Sequence, residues 1–250
     1  MNKDYTDSWI TGFNEKKLIS YHNKFYKNFE KNIKHYQQIE FIRKYLKYDM
    51  EWLDAPIGSG RLMDELSCRN MLGFDKSPAF VSYNNSKGRK TIEGDLFNMP
   101  FNERFGLITC LHTLFAFDEF RQILKELVSA LKKDGILIAD IVNRSHIEAS
   151  NLKCGQYPYK SALTREEIIE FFESLNCKVI EIELHDLYDN RFILHWRNNG
   201  NRWIRILKKI LYKLLNILYF RLHLKTVFDK FSKNRDKKYY TKYLVAVKKK

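Results

Sequence analysis

Residues 52–66 read Trp-Leu-Asp-Ala-Pro-Ile-Gly-Ser-Gly-Arg-Leu-Met-Asp-Glu-Leu. An apolar run ends in Asp54, a turn carries Gly58 and Gly60, and a helical pattern opens at Arg61. Glycines suit a sharp strand-to-helix turn because they tolerate positive φ and let a ligand approach the backbone closely. Glycine pairs after a strand also arise by chance, so the neighbouring sequence has to supply more. Short apolar runs at Glu51–Ala55, Met71–Asp75, Lys90–Glu93, Phe105–Leu111 and Gly135–Val142 alternate with helical stretches. That alternation means βαβ units and a parallel sheet covered by helices on both faces.

The helices carry their own start and stop chemistry. Ser77-Pro78 sets a hydroxyl before a proline at the first helical position. Residues 118–132 repeat apolar groups at Phe120, Ile123, Leu124, Leu127 and Leu131 before Lys132-Lys133-Asp134-Gly135. Thr164 and Glu167 form a capping-box pattern that opens a helix through Phe171, Phe172 and Leu175. Upstream, Phe25, Phe29, Ile33, Tyr36, Ile39, Ile42 and Leu46 predict one amphipathic helix over 24–48. Two further strands are expected at Cys177–Leu184 and Tyr239–Val247, with about fifty residues between them.

The chain has 250 residues, 44 % of them apolar and 30 % charged, enough for one sizeable core. Its 4 Pro and 10 Gly form no cluster that would mark a linker. The expected fold is α/β, a Rossmann-like doubly wound, seven-stranded, mostly parallel sheet with an antiparallel last strand. Residues 1–48 form an N-terminal helical cap, 49–186 the core, 187–238 a helical insertion and 239–250 the last strand, in a single domain. Cys68, Cys110, Cys154 and Cys177 share no CxxC spacing, and the opening MNKDYTDSWI lacks a cationic-then-apolar leader. Those features point to a reduced, cytoplasmic chain with neither a disulfide framework nor a zinc knuckle.

Asp54, Asp75 and Asp95 end three successive strands at intervals of 21 and 20 residues. In register, they set three carboxylates along one sheet edge, where such folds bind ligands. An acid at the position of Asp75 commonly takes the two hydroxyls of a ribose. Singly, Asp75 and Asp95 also suit helix and turn caps.

With these residues in place, the sequence resembles the class I S-adenosylmethionine-dependent methyltransferases. LDAPIGSGR is similar to the family's first motif, GFDKS to its second-strand acid and EGDLFNMPF to its third motif. FGLITCLHTLFAF is similar to its fourth strand, and LKKDGILIADI to the turn before its fifth. The resemblance implies that the backbone of Asp54, Ala55, Pro56, Gly58 and Gly60 cradles the methionine part of S-adenosyl-L-methionine. Asp75 with Lys76 would hold the ribose, Asp95 with Leu96 would meet the adenine edge, and Cys110 and Leu111 would line the floor beneath the sulfonium. Two positions depart from the family pattern: Pro56 replaces the first glycine, and Gly106 replaces the usual acid.

Methyl transfer from a sulfonium is an in-line displacement, to which a protein mainly contributes proximity and orientation. A hydroxyl acceptor also calls for a general base near neutral pKa. His112, after strand four, is the first candidate, and His146, just past strand five, is the second and a candidate acceptor contact; both also suit an ordinary loop or rim position. Tyr21, His22 and Tyr26, before strand one, are candidate acceptor contacts, since the resemblance puts that segment at the acceptor wall. The seven histidines include no metal-ligand spacing, so no metal is expected. The signatures of adenine-amino, cytosine-carbon and protein-arginine methyltransferases are missing, which leaves a small-molecule type.

Charge is sharply segregated. Residues 197–250 hold 17 of the 44 Lys/Arg and only Asp229 and Asp236 among the acids, so the first 196 residues are near neutral. On a helical wheel, Arg202, Arg205, Lys208, Lys209, Lys213 and Asn216 share one face, opposite Trp203, Ile206, Leu207, Ile210, Leu211, Leu214, Ile217 and Leu218. The longest uncharged run there, Leu214–Phe220, is too short to span a bilayer, which needs about 20 residues. Basic residues opposite Trp and Leu form the pattern of an interfacial membrane helix, although any helix covering the fold also needs an apolar face. The expected function is methyl transfer to a small or lipid-linked acceptor, with residues 202–220 on an anionic inner membrane surface as a peripheral contact. The alternatives are an RNA methyltransferase that clamps nucleic acid with the basic module, and a catalytically silent cofactor-binding membrane-peripheral protein. Nucleic acid fits less well, since it asks for exposed aromatics along a basic groove.

Overall fold

In a computed structural model, residues 33–149, 161–187 and 240–250 are described, together with the single helical positions Lys16, Lys17, Ser20 and Leu207. Helices α1 (Ile33–Arg43), α2 (Arg61–Glu65), α3 (Pro78–Ser86), α4 (Phe120–Ala130), α5 (Arg144–Ala149) and α6 (Arg165–Ser174) surround a seven-stranded sheet. The strands are β1 (Glu51–Asp54), β2 (Asn70–Asp75), β3 (Thr91–Glu93), β4 (Phe105–Cys110), β5 (Leu131–Val142), β6 (Cys177–Leu187) and β7 (Tyr240–Lys249).

Their spatial order is β3-β2-β1-β4-β5-β7-β6. The pairs β1–β2, β1–β4, β2–β3 and β4–β5 are parallel, and β7 runs antiparallel to both β5 and β6. The expected fold is therefore the observed one. Chain direction reverses its march between β1 and β4, which opens a crevice at their carboxyl ends.

Side-chain alternation assigns each face of the sheet. Leu53, Phe74, Ile108, Leu137, Val245 and Val247 pack with Ile123, Leu124 and Leu127 of α4 and with Ile168 and Phe172 of α6. Trp52, Leu107, Ile138, Leu244 and Ala246, one residue out of phase, pack with Ile39, Phe41 and Ile42 of α1 and Leu62 and Met63 of α2. Phe41 and Ile42 are 1 % and 0 % exposed, and full burial of such side chains stabilises by about 1.5–3 kcal/mol each. That burial ties α1 across the sheet face next to the crevice.

Two boundaries and one cap differ from the sequence expectation. Helix α1 ends at Arg43, not 48: Tyr45 and Leu46 N–H share the Ile42 carbonyl, and Met50 N–H on the Lys47 carbonyl turns the chain into β1. Strand β5 begins at Leu131, which pairs with Phe105 before the register jumps to Leu107 and Ile136. The Lys132–Gly135 segment is thus an outward excursion within the strand, with Asp134 at φ 61°. Ser77 is the N-cap of α3, but without a side-chain cap bond; its N–H instead donates to Asp75 at 2.9 Å. The Thr164–Glu167 capping box forms with both bonds, at 3.2 and 2.8 Å.

Candidate active site

The crevice is built by four strand ends. Asp54 closes β1 and is 2 % exposed. Trp52 Nε1 donates to Thr109 Oγ1 at 3.0 Å, which leaves that hydroxyl to donate to Asp54 Oδ1 at 2.7 Å. A directional relay through β4 thus fixes the carboxylate. Burial pushes the Asp54 carboxyl up to about 7, with Asp75 adding to the rise and Thr109 and Arg61 opposing it.

The turn after β1 is anchored from β2. Gly58 N–H donates to Asp75 Oδ2 at 2.9 Å while Ser77 N–H takes Oδ1. Burial raises Asp75 to about 6 against these backbone donors. Gly58 and Gly60 both have positive φ, 53° and 76°. A Cβ at Gly60 would collide with Asn84 Oδ1 and Arg89, so Gly60 is a packing requirement. A Cβ at Gly58 would meet nothing within 4 Å. Backbone at Gly58 therefore faces open space beside a buried acid, an arrangement with room for a ligand such as S-adenosylmethionine. The peptide before Pro56 is cis.

Asp95, past β3, accepts from Lys76 Nζ at 2.7 Å and from Phe97 N–H at 3.1 Å. Partial burial works against its charge, but these donors prevail and hold its carboxyl below the usual range. Leu96 is buried beside it, so the expected residues do gather along one edge. Cys110 and Leu111 lie buried at the end of β4, and burial drives the Cys110 thiol well up, so it remains neutral.

His112 follows at φ 59°, its N–H donating to Asp140 Oδ1 at 2.9 Å. The sequence reading missed what surrounds it. Lys242 of β7 donates to Asp140 Oδ2 at 2.6 Å and lies 3.4 Å from His112 Nδ1. Gln38 of α1 places its Nε2 at 2.9 Å from His112 Nε2 and 3.1 Å from His185 Nε2, while Arg61 Nη2 donates to its Oε1 at 2.7 Å. The His35 ring stands 6.1 Å from that of His112. His35, Gln38, Arg61, Asp140, His185 and Lys242 are all 7 % exposed or less, whereas the His112 side chain is 36 % exposed. Desolvation by the buried groups packed against its ring, then the charges of Lys242 and Arg61 and the rings of His35 and His185, hold His112 well below the ordinary histidine value. The signal was present in sequence as polar residues interrupting apolar strands, Asp140 in ILIADIV and Lys242 in YTKYLVAV.

His146 does not stand at a rim: it sits in α5 and is 1 % exposed. Tyr21, His22, Tyr26 and the basic segment, apart from Leu207, lie outside the described residues. Among the described residues there is no group of three or more His, Cys, Asp or Glu that could hold a metal ion, and no helix long and apolar enough to cross a membrane.

Residues 53–139 match the family model described as a methyltransferase domain, a span that runs from the end of β1 to the middle of β5. No curated protein matches the chain in sequence. Among solved structures, the magnesium protoporphyrin IX methyltransferase of Synechocystis with bound SAH is 11 % identical, at a TM-score of 0.58 over 98 % of this chain and 97 % of that one. A Haloferax volcanii protein in complex with the Trm112 methyltransferase activator is 14 % identical, at 0.58 over 99 % and 98 %. The geranyl diphosphate C-methyltransferase of Streptomyces coelicolor, with Mg2+, geranyl diphosphate and S-adenosyl-L-homocysteine, is 15 % identical, at 0.53 over 94 % and 84 %. At such identities the structural likeness speaks to fold alone. Residues 53–139 are thus similar to a methyltransferase domain, and the chain as a whole shares the fold of the class I S-adenosylmethionine-dependent methyltransferases.

Proposed function

We propose that the enzyme methylates a small or lipid-linked acceptor that enters beside His112. The supporting observation is the polar cluster: six buried side chains from α1, α2, β5, β6 and β7 surround the one exposed imidazole. A site walled this closely by one chain suits a small group reaching in. When bound, S-adenosylmethionine supplies a methyl on a sulfonium that departs as a neutral thioether. The chain's own part is to hold that cofactor through the 54–60 backbone, Asp75 with Lys76, and Asp95 with Leu96, to orient the acceptor, and to receive its proton. His112 is the proposed base, and Tyr21, His22 and Tyr26 are proposed acceptor contacts. His146 is kept only as a remote candidate, given its burial.

The membrane part of the proposal rests on residues 202–220. Leu207, on the apolar side of the predicted amphipathic face, is helical and 65 % exposed. Its exposure supports a peripheral contact with an anionic inner membrane surface, in the cytoplasm, through residues of the proposed 187–238 insertion. Flotation of the full chain with anionic and with zwitterionic vesicles tests this, beside transfer of labelled methyl into a lipid extract and into RNA. Flotation with anionic vesicles and label in the lipid extract are expected; label in RNA without flotation would replace this reading with a nucleic-acid clamp.

A further inference from the structure

The hydrogen bonds around Gln38 fix more than a position. Arginine only donates, so the Arg61 contact at 2.7 Å identifies the end of the Gln38 amide that is oxygen. Rotating the amide would set its NH2 against the guanidinium. The NH2 group therefore faces His112 Nε2 at 2.9 Å and His185 Nε2 at 3.1 Å, with one hydrogen for each. Both ring nitrogens must accept. A proton on His112 Nε2 would point N–H at N–H, so the His112 proton resides on Nδ1. On that side Asp140 Oδ2 lies 3.8 Å away and the Lys242 ammonium, also a donor, 3.4 Å from Nδ1; the Gln38 contact at 2.9 Å is the shorter of the two donor contacts and sets the tautomer.

We propose that Gln38 is a positioning residue for His112: pinned by Arg61, its NH2 engages the Nε2 lone pair and holds the imidazole neutral until an acceptor arrives as a neutral hydroxyl. This rests on the methyl-transfer reading above. An arriving hydroxyl takes over the Nε2 lone pair from the Gln38 amide. As its oxygen forms the new bond to carbon, the O–H electron pair stays on oxygen and the proton moves to Nε2. Asp140, held by His112 N–H and by Lys242, faces the Nδ1–H side of the imidazolium so formed. Every element around the ring contributes a group that bears on its charge: His35 and Gln38 from α1, Arg61 from α2, Asp140 from β5, His185 from β6 and Lys242 from β7. Only Asp140 among them favours the cation, so the resting ring stays neutral.

The test is long-range 1H–15N correlation of the full chain labelled with 15N-histidine, titrated from pH 8 to pH 5. The His112 signals are identified by their loss in His112→Gln. The expected spectrum shows His112 neutral and protonated on Nδ1 at pH 7 and still neutral at pH 6. In Gln38→Glu, a carboxylate accepts from both Arg61 and an Nε2–H, and the His112 midpoint rises by at least about one pH unit. An Nε2–H tautomer or a charged ring at pH 7 in the wild type would overturn the proposal, as would an unmoved midpoint in folded Gln38→Glu. The wild-type tautomer decides the matter even if that variant fails to fold. Since the spectrum is read without cofactor, its failure concerns Gln38 alone, whereas failure to bind S-adenosylmethionine would remove the reading beneath it.

Discussion

Gly58 and Gly60 sit two residues apart with similar positive φ, yet they do different work. Gly60 is hemmed by Asn84 and Arg89, while Gly58 borders open space. Gly60→Ala should lower stability by at least about 2 kcal/mol, the sum of backbone strain and a clash. Gly58→Ala should cost about 1 kcal/mol, from backbone strain alone, and affect cofactor affinity more than melting. Denaturant unfolding of the two variants checks the ranking. Asp54 makes a pH prediction. Its carboxyl titrates near 7 in the folded chain against 3.8 ordinarily, so the folded state holds the extra proton between those values. Its contribution to stability is therefore present below about 4 and lost as pH rises through about 7. Asp54→Asn, which keeps an acceptor for Thr109, should gain stability over wild type as pH rises from 5 to 8, by no more than about 3 kcal/mol. Melting curves at the two pH values would show the gap widen; a constant gap would contradict it. His112 has the opposite sign: its depressed value favours the fold above about 6.5 and is lost on acidification.

At the scale of elements, β5 and β7 are joined by a buried ion pair, Lys242–Asp140, besides the exposed Lys248–Asp134 pair. Lys242 and Asp140 are 5 % and 2 % exposed, and Lys242 also lies 4.8 Å over the Phe115 ring. Removing one partner strands a buried charge, which typically costs about 3–5 kcal/mol. Lys242→Met should lose about that much, and Lys242→Met combined with Asp140→Asn should recover most of it in thermal unfolding. All seven strands were legible as short apolar runs set off from stretches of helical spacing, and the Thr164 box because its spacing is a local code. The α1 terminus was not, because Leu46 continues the helical spacing while the backbone has already turned at Ile42. Nor was the excursion at 132–135, where a tertiary register with β4 overrides local pattern. Cofactor-side residues follow one another along successive strand ends, so spacing reveals them. Gln38, His185 and Lys242 meet His112 from 74, 73 and 130 residues away, and only the fold brings them together.

Across the whole molecule, the near-neutral body carries the fold and the site, while positive charge is concentrated after residue 196. Sheet order places the cradle from β1–β3 on one side of the crevice and the polar cluster from β5–β7 on the other, with His112 between them at the end of β4. On the proposed reading, cofactor binding falls on one side and acceptor handling on the other, so the two are separable. The most direct test is calorimetric titration of S-adenosylmethionine into the wild type and into Asp75→Ala, each first shown folded by its melting transition. The account predicts micromolar binding to the wild type that is lost in the variant, since Asp75 both offers its carboxylate at the site and anchors Gly58. No binding to folded wild type, or equal binding by the variant, would contradict it.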